Sequence, residues 1–516
     1  MKTAKAGVLR KVLTIVALVM VSVAITTTVA LFFVRNNLKQ DIIDTLREKF
    51  QSDVQIGDLQ IIVFPHVLAI ARGIVMRIEG RMDVPPLITI QELTLSAGIL
   101  NLFRRHVSSI TLQGLQIHVP PRMPRSSPNG EKRPHKKIYF PLVIDEIVSE
   151  NALLETLPSD PKHIPRDFNI YHLVLHSFSF DNSADFRATL TNPQPLGNID
   201  TQGKFGPWIA EEPGDTNVSG TFHYSHADFS SINGLSGIMS STGKYDGTLD
   251  TINVEGDTEM PDFALGIAGN PMRLTTHYIA VVDGTNGDTH LKSVEARLGN
   301  SPLSVSGDII GTPGIKGKHI VLDATSQNAR AEDLIGLAVK GGSPMNGSIH
   351  LHAKIDLPQD PGKSVVDRLA LDGQFGIGNM QFTNSGVQDK LDSLSRVGRG
   401  EPKNQDIQDV ISDLAGKFAA RRGVITLKTI TFHVPGAGVQ LDGFYNMKSG
   451  DMDFRGHLLL DDKLSQTTTG ATSVFLRLVD PFFKRKGGGS SIPIKVTGNY
   501  AHPSFGIDLG GNHKGK

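Results

Sequence analysis

LDGFYNMKSGDMDFRGHLLL, residues 441–460, decides how the chain is read: strand, turn, strand. In its second half Met452, Phe454, Leu458 and Leu460 fall on one parity. Asp451, Asp453, Arg455 and His457 fall on the other. Successive side chains of a strand point to opposite faces, so this strand has one dry face and one wet face. Similar pieces recur in VSGTFHY (218–224), VSGDIIG (305–311), LDGQFGIGNMQF (371–382) and VTGNY (496–500). In MNGSIHLHAKIDL (345–357), Ile349, Leu351, Ala353, Ile355 and Leu357 share the apolar parity, and His350, His352, Lys354 and Asp356 share the polar one.

The chain has 516 residues, too many for one small core. Lys plus Arg and Asp plus Glu are equal at 52 each, so there is no basic field of the kind a nucleic-acid binder needs. The 53 glycines stand mostly between alternating runs and read as turns and bulges. There is no cysteine, which excludes disulfides, Cys-ligated zinc and thiol catalysis.

Residues 12–34, VLTIVALVMVSVAITTTVALFFV, form an uncharged run of 23. As a helix it is long enough to cross ~30 Å of hydrocarbon. Val12, Leu18, Val23, Leu31 and Val34 would face lipid along it. A cleaved signal peptide is the other reading, with small residues at Ser22, Ala24 and Ala30, but its apolar region is usually shorter. Lys2, Lys5, Arg10 and Lys11 before the span nearly balance Arg35, Lys39, Arg47 and Lys49 after it. The simpler topology keeps the short tail inside and the long body outside.

Beyond the span, Leu38, Ile42, Ile43, Leu46 and Phe50 have helical spacing. After them the period becomes two. Ile88 and Ile90 share one parity, and Leu93 and Leu95 the other. Ile110 and Leu112 are followed by Leu115, Ile117 and Val119, with Gly114 at the switch. A parity switch beside glycine marks a bulge or kink. Residues 120–137 hold five prolines and six Lys/Arg, and read as a disordered loop or a contact with anionic headgroups. Residues 388–420 carry apolar side chains three or four apart and predict two helices, and 473–483 predict a third. The expected organisation is a tail (1–11), a transmembrane helix (12–34), a β region (35–119), the Pro/basic loop (120–137) and a central β-rich region (138–388). A helical insert (389–420), a second β region (421–510) and a tail (511–516) complete it.

No reactive centre stands out. GTPGIKGKH (311–319) misses the phosphate-loop spacing, and His319 stands where a Ser/Thr is needed. GLSG (234–237) lacks the second spacer of a nucleophile elbow. DGTNGD (283–288) fits a hairpin turn better than a calcium loop. His350 and His352 could begin a metal site, but their face reads as solvated. The chain is therefore expected to have no catalytic residue, metal or cofactor.

The expected fold is mainly β. A transmembrane helix precedes an extended, curled antiparallel sheet, groove-like or sandwich-like, with a few short amphipathic helices. QIGDLQIIVFPHVLAIARGIVMRI and PLITIQELTLSAGILNLFRRHVSSITLQGLQIHVP, within 51–120, resemble the N-terminal region of AsmA-like proteins. GVITLKTITFHVPGAGVQLDGFYNMKSGDMDFRGHLLL and IPIKVTGNYAHPSFGIDL, within 423–509, resemble the C-terminal region, and LTNPQPLGNIDTQGKFGPW (190–208) looks typical of larger relatives. The resemblance implies a single-pass inner-membrane protein with a periplasmic body and a role in outer-membrane biogenesis. It further implies phospholipid or another acyl lipid as partner, with envelope proteins as possible partners and no nucleic acid. A groove lined by Ile349, Leu351, Ile355, Leu357, Met452, Phe454, Leu458 and Leu460 would accept acyl chains by burial alone, at ~0.8 kcal/mol per methylene. The alternative is a scaffold whose sheets close on each other and which modulates outer-membrane protein assembly by contact.

Overall fold

The computed structural model describes residues 39–47 in part, 52–62, 67–78, 82–98, 101, 106–119, 142–157, 166–179, 181–193, 195–209, 213–267, 269–284, 287–311, 317–360, 362–389, 392, 412–435, 437–460, 490–499 and 502–508. The run 12–34, with Val12, Leu18, Val23, Leu31 and Val34, lies outside the described residues, as do the loop 120–137, most of the expected helical insert up to residue 411 and the expected helix 473–483. Among the described residues no helix is long and apolar enough to cross a membrane. The described chain is mainly β, with 25 strands and a few short helices.

The chain divides into two compact units. The first takes residues up to Ser159, Pro165–Thr191 and Asp200–Gly220, and the second takes Asp160–Ile164, Asn192–Ile199 and everything from Thr221. The first holds β1 (Ser52–Ile62), β2 (Val67–Ile78), β3 (Ile88–Ala97), β4 (His106–Gln113), β5 (Gln116–Val119), β6 (Val143–Thr156) and β7 (Arg166–Phe178). β8 (Ala184–Pro193), β9 (Leu196–Phe205) and β10 (Asn217–Asp228) contribute residues to both units. The second holds β11 (Leu235–Ser236), β12 (Ile238–Thr248), β13 (Thr251–Leu265), β14 (Met272–Val282), β15 (Thr289–Leu298), β16 (Ser301–Ile310), β17 (His319–Arg330) and β18 (Met345–Leu357). It continues through β19 (Ala370–Phe382), β20 (Ser412–Arg421), β21 (Val424–Val434), β22 (Ala437–Asn446), β23 (Asp451–Leu460), β24 (Ser490–Asn499) and β25 (His502–Ile507).

The sheet of the first unit is not purely antiparallel, which corrects the expectation. β4 and β5 pair antiparallel with β3 but parallel with β6, from His106↔Val143 to Val119↔Thr156. A parallel pair needs a crossover, because the chain must return to the starting end of its neighbour. The 14 residues of β6 span about 45 Å. Residues 120–142 can reach about 80 Å at most, which covers that return. A connection of at least about 13 residues is thus a topological requirement here.

The switch at Gly114 belongs to a line that runs across β1–β7. Constant register places Gly57 opposite Gly73, Gly73 opposite Gln91, Gln91 opposite Gly114, Gly114 opposite Asn151 and Asn151 opposite Tyr171. Gly73, Gly114 and Asn151 have φ of 62°, 61° and 54°. A left-handed residue inside a strand re-aims the residues after it, and glycine and asparagine adopt that region at least cost. On one side of this crease Val107, Ile110, Ile144 and Ile147 pack with Leu93, Leu95 and Leu175. On the other, Leu115, Ala152 and Ile170 pack with Ile88, Ile90 and Ile117. Leu112 touches both clusters. The parity changes so that one face stays apolar through the bend.

In the second unit, β12 to β25 pair in chain order, each strand antiparallel with the next. The connection between β20 and β21 is a two-residue turn with Arg422 at φ 54° and Gly423 at φ 79°, the combination a type I′ hairpin requires. Ser412–Arg421 is a strand, which corrects the helix expected to run to residue 420. Leu414 and Phe418 are four apart and fit either period. Pairing with β19 and β21 settles the choice, as tertiary context commonly does for short apolar runs.

Candidate functional site

The candidate site is the dry face of the second unit. One row of opposed residues runs Ser241, Thr258, Thr276, Ala296, Leu303 across β12–β16. The adjacent row runs Val305, Ala324, Ala353, Gly373, Phe418, Leu427, Gly443, Phe454, Val496, Phe505 across β16–β25. Among the described residues, no Asp, Glu, Lys, Arg or His occupies this parity on β12–β25. Bulges keep it so. In β21 the register shifts between Leu427 and Ile430, with Thr429 at φ 50°. Leu427 and Ile430 therefore face the same side despite their odd spacing.

Two regions of this face differ in packing. Ile349, Ile377, Met380, Phe432, Val439 and Leu460 form a sealed cluster, and Leu458, Phe375 and Leu414 pack against it. Leu351, Ile355, Met452 and Phe454 lie outside that cluster and are half-buried, while Leu357 is buried toward the other end of its strand. All eight expected lining residues therefore share one face but not one environment. A sandwich core would seal Leu351, Ile355, Phe418 and Phe454; here they keep partial exposure. Glycines leave room for rings on this face. A Cβ at Gly373 would stand 2.6 Å from Phe418 Cζ, and the Phe375 and Phe418 rings meet at 6.2 Å and 51°.

The opposite face carries the charge, in cross-strand pairs. His277 Nδ1 is 2.9 Å from Asp257 Oδ1, and Arg421 Nη2 donates to Asp372 at 2.5 Å. Within β23, Arg455 donates twice to Asp453 at 3.0 Å, and this bonding holds the Asp453 carboxyl below the usual carboxylate range. His350 and His352 are on this exposed face with Lys354 and Asp356, as expected. His352 Nε2 lies 3.1 Å from both carboxylate oxygens of Asp323, and His350 lies over Gly376. Two shallow hollows, of about 640 and 470 Å³, are lined largely by polar-parity side chains, including Asp257, His277 and Glu295 in the first and His350, His352 and Lys417 in the second. Among the described residues no three His, Asp or Glu side chains converge as a metal site would require.

One feature of the dry face escaped sequence reading. Tyr278 stands directly opposite Gly256, and a Cβ there would be 2.9 Å from its Oη. The ring crosses β13 through that gap and brings Oη within 3.3 Å of Ser241 Oγ. Ser241 Oγ donates to the Asp257 carbonyl at 2.9 Å and accepts from Thr258 Oγ1 at 3.2 Å. Burial pushes the Tyr278 phenol up, so it stays protonated. The hydroxyls lie on one parity of three strands, but only the register brings them together.

No family model matches the chain, and comparison with curated proteins and with solved structures finds no match.

Proposed function

We propose that the dry face of the second unit binds acyl chains of phospholipid or another lipid, and that the chain works as a membrane-anchored, AsmA-like protein of outer-membrane biogenesis. The observation that carries this reading is the run of uncharged side chains across β12–β25 among the described residues, partly exposed at Leu351, Ile355, Met452 and Phe454. Burial of a chain there stabilises by ~0.8 kcal/mol per methylene and needs no reactive residue. The reading makes the chain a non-enzyme and places its body in the periplasm, held to the inner membrane by residues 12–34. The test is a photo-crosslinking residue at Leu351 or Phe454 in the full-length protein, with Lys354 as the polar-face control. Lipid adducts at the first two positions and none at the third are expected. Adducts at none of them defeat the reading.

The scaffold reading rests on the sealed cluster around Ile349, Phe432 and Leu460. It becomes the better one when Leu351→Asp unfolds the protein as readily as Leu458→Asp does.

A topology test addresses the anchor. A carboxy-terminal alkaline phosphatase fusion is expected to be active and a green fluorescent fusion dark. The reverse pattern, or a mature N-terminus near residues 25–31, removes the anchor from the proposal.

A further inference from the structure

The hydroxyl group on β12–β14 has a donor balance that selects a ligand. Ser241 has one proton, and it goes to the Asp257 carbonyl. Its contact with Tyr278 Oη is then a bond in which Tyr278 donates, and Thr258 Oγ1 also donates to it. Tyr278 Oη and Thr258 Oγ1 have therefore spent their protons and keep only acceptor capacity. The group stands on a face that carries no charged residue across β12–β25 among the described residues. An anionic or cationic group would meet no counter-charge on that face and would lose its hydration; the Asp257 carboxylate, whose charge helps to raise the Tyr278 phenol, stands on the opposite face. A neutral group that brings an O–H or N–H fits instead.

We propose that the Ser241–Thr258–Tyr278 group is a subsite for the free hydroxyl of a neutral, hydroxylated lipid, whose chain lies along the dry face. This rests on the acyl-chain reading above and narrows it. Gly256 is part of the device, because only a residue without Cβ lets the Tyr278 ring cross β13.

The experiment compares oleyl alcohol with oleyl methyl ether, which has the same chain and the same oxygen but no O–H. Both are titrated as radiolabelled ligands into full-length protein held in amphipol. The wild-type chain is expected to prefer the alcohol by roughly three- to tenfold, the worth of one hydrogen bond. The one O–H of the alcohol donates to Tyr278 Oη or Thr258 Oγ1, so the double variant Tyr278→Phe with Thr258→Val should bring the ratio close to one by lowering alcohol binding, with melting curves confirming that it folds. Equal wild-type binding of the two probes overturns the subsite and leaves the acyl-chain reading standing. Binding of neither probe overturns both. An alcohol preference that persists in the folded double variant places the hydroxyl elsewhere and also overturns the assignment.

Discussion

The backbone N–H of Thr429 donates to Asp442 Oδ1 at 2.6 Å, from a left-handed position at φ 50° that a β-branched residue rarely adopts. The contact holds the bulge that turns Ile430, Phe432 and Val434 onto the dry face with Leu427. A left-handed non-glycine residue costs about 1–2 kcal/mol, and a bond to a carboxylate offsets it. Asp442→Ala is expected to lower stability by about 1–2 kcal/mol in urea unfolding. Asp442→Asn, which keeps an acceptor, should lose less. Wild-type stability in the alanine variant would mean that the ladder alone holds the bulge.

Leu351 and Leu458 have the same parity but different neighbours. Leu458 packs on the sealed cluster, and Leu351 is half-buried outside it. An unpaired charge in a packed core costs several kcal/mol, whereas a charge on an open face stays hydrated. Leu458→Asp should therefore unfold or strongly destabilise the protein. Leu351→Asp should fold, by circular dichroism and limited proteolysis, and lose the lipid adduct. Equal damage from both changes would show that the face is closed at Leu351.

Gly114 places the crease in the first unit. Its φ of 61° and the Gln91 Oε1 only 2.7 Å from where a Cβ would stand predict strain on substitution. Gly114→Ala is expected to cost about 1–3 kcal/mol. Part of that cost should return in Gly114→Ala with Gln91→Ala, since the clash is with a flexible side chain and the φ strain is not. A double-mutant cycle reads the two terms separately.

Tyr224 and Tyr278 set an alkaline limit. Burial raises both phenols above their usual value, against the lowering effect of their hydrogen bonds to Asn192 and Ser241. A folded value above the unfolded one contributes stability that is full below the unfolded value, near pH 10, and is lost as pH rises through the folded one. Unfolding free energy should fall above about pH 10. Tyr224→Phe with Tyr278→Phe should flatten that fall. An unchanged slope in the double variant would assign the alkaline loss to other groups.

The alternation in 345–357 and 451–460 determined by itself that the chain is mainly β, which face of each strand is dry, and that His350 and His352 stand with the charged set. The parity switch at Gly114 was also legible, because a left-handed residue leaves its mark on the residues before and after it. All of these are local properties, fixed by the two-residue period of the strand. Only the tertiary structure decided that five other positions line up with Gly114, that β6 runs parallel to β4, and that Ser412–Arg421 is a strand. It also decided that Leu458 is packed where Leu351 is not, and that Tyr278 reaches Ser241 across Gly256. Each of these depends on register between strands or on what stacks above a face, and pairing of distant segments is set by the sum of many weak cross-strand contacts that no single stretch of sequence contains.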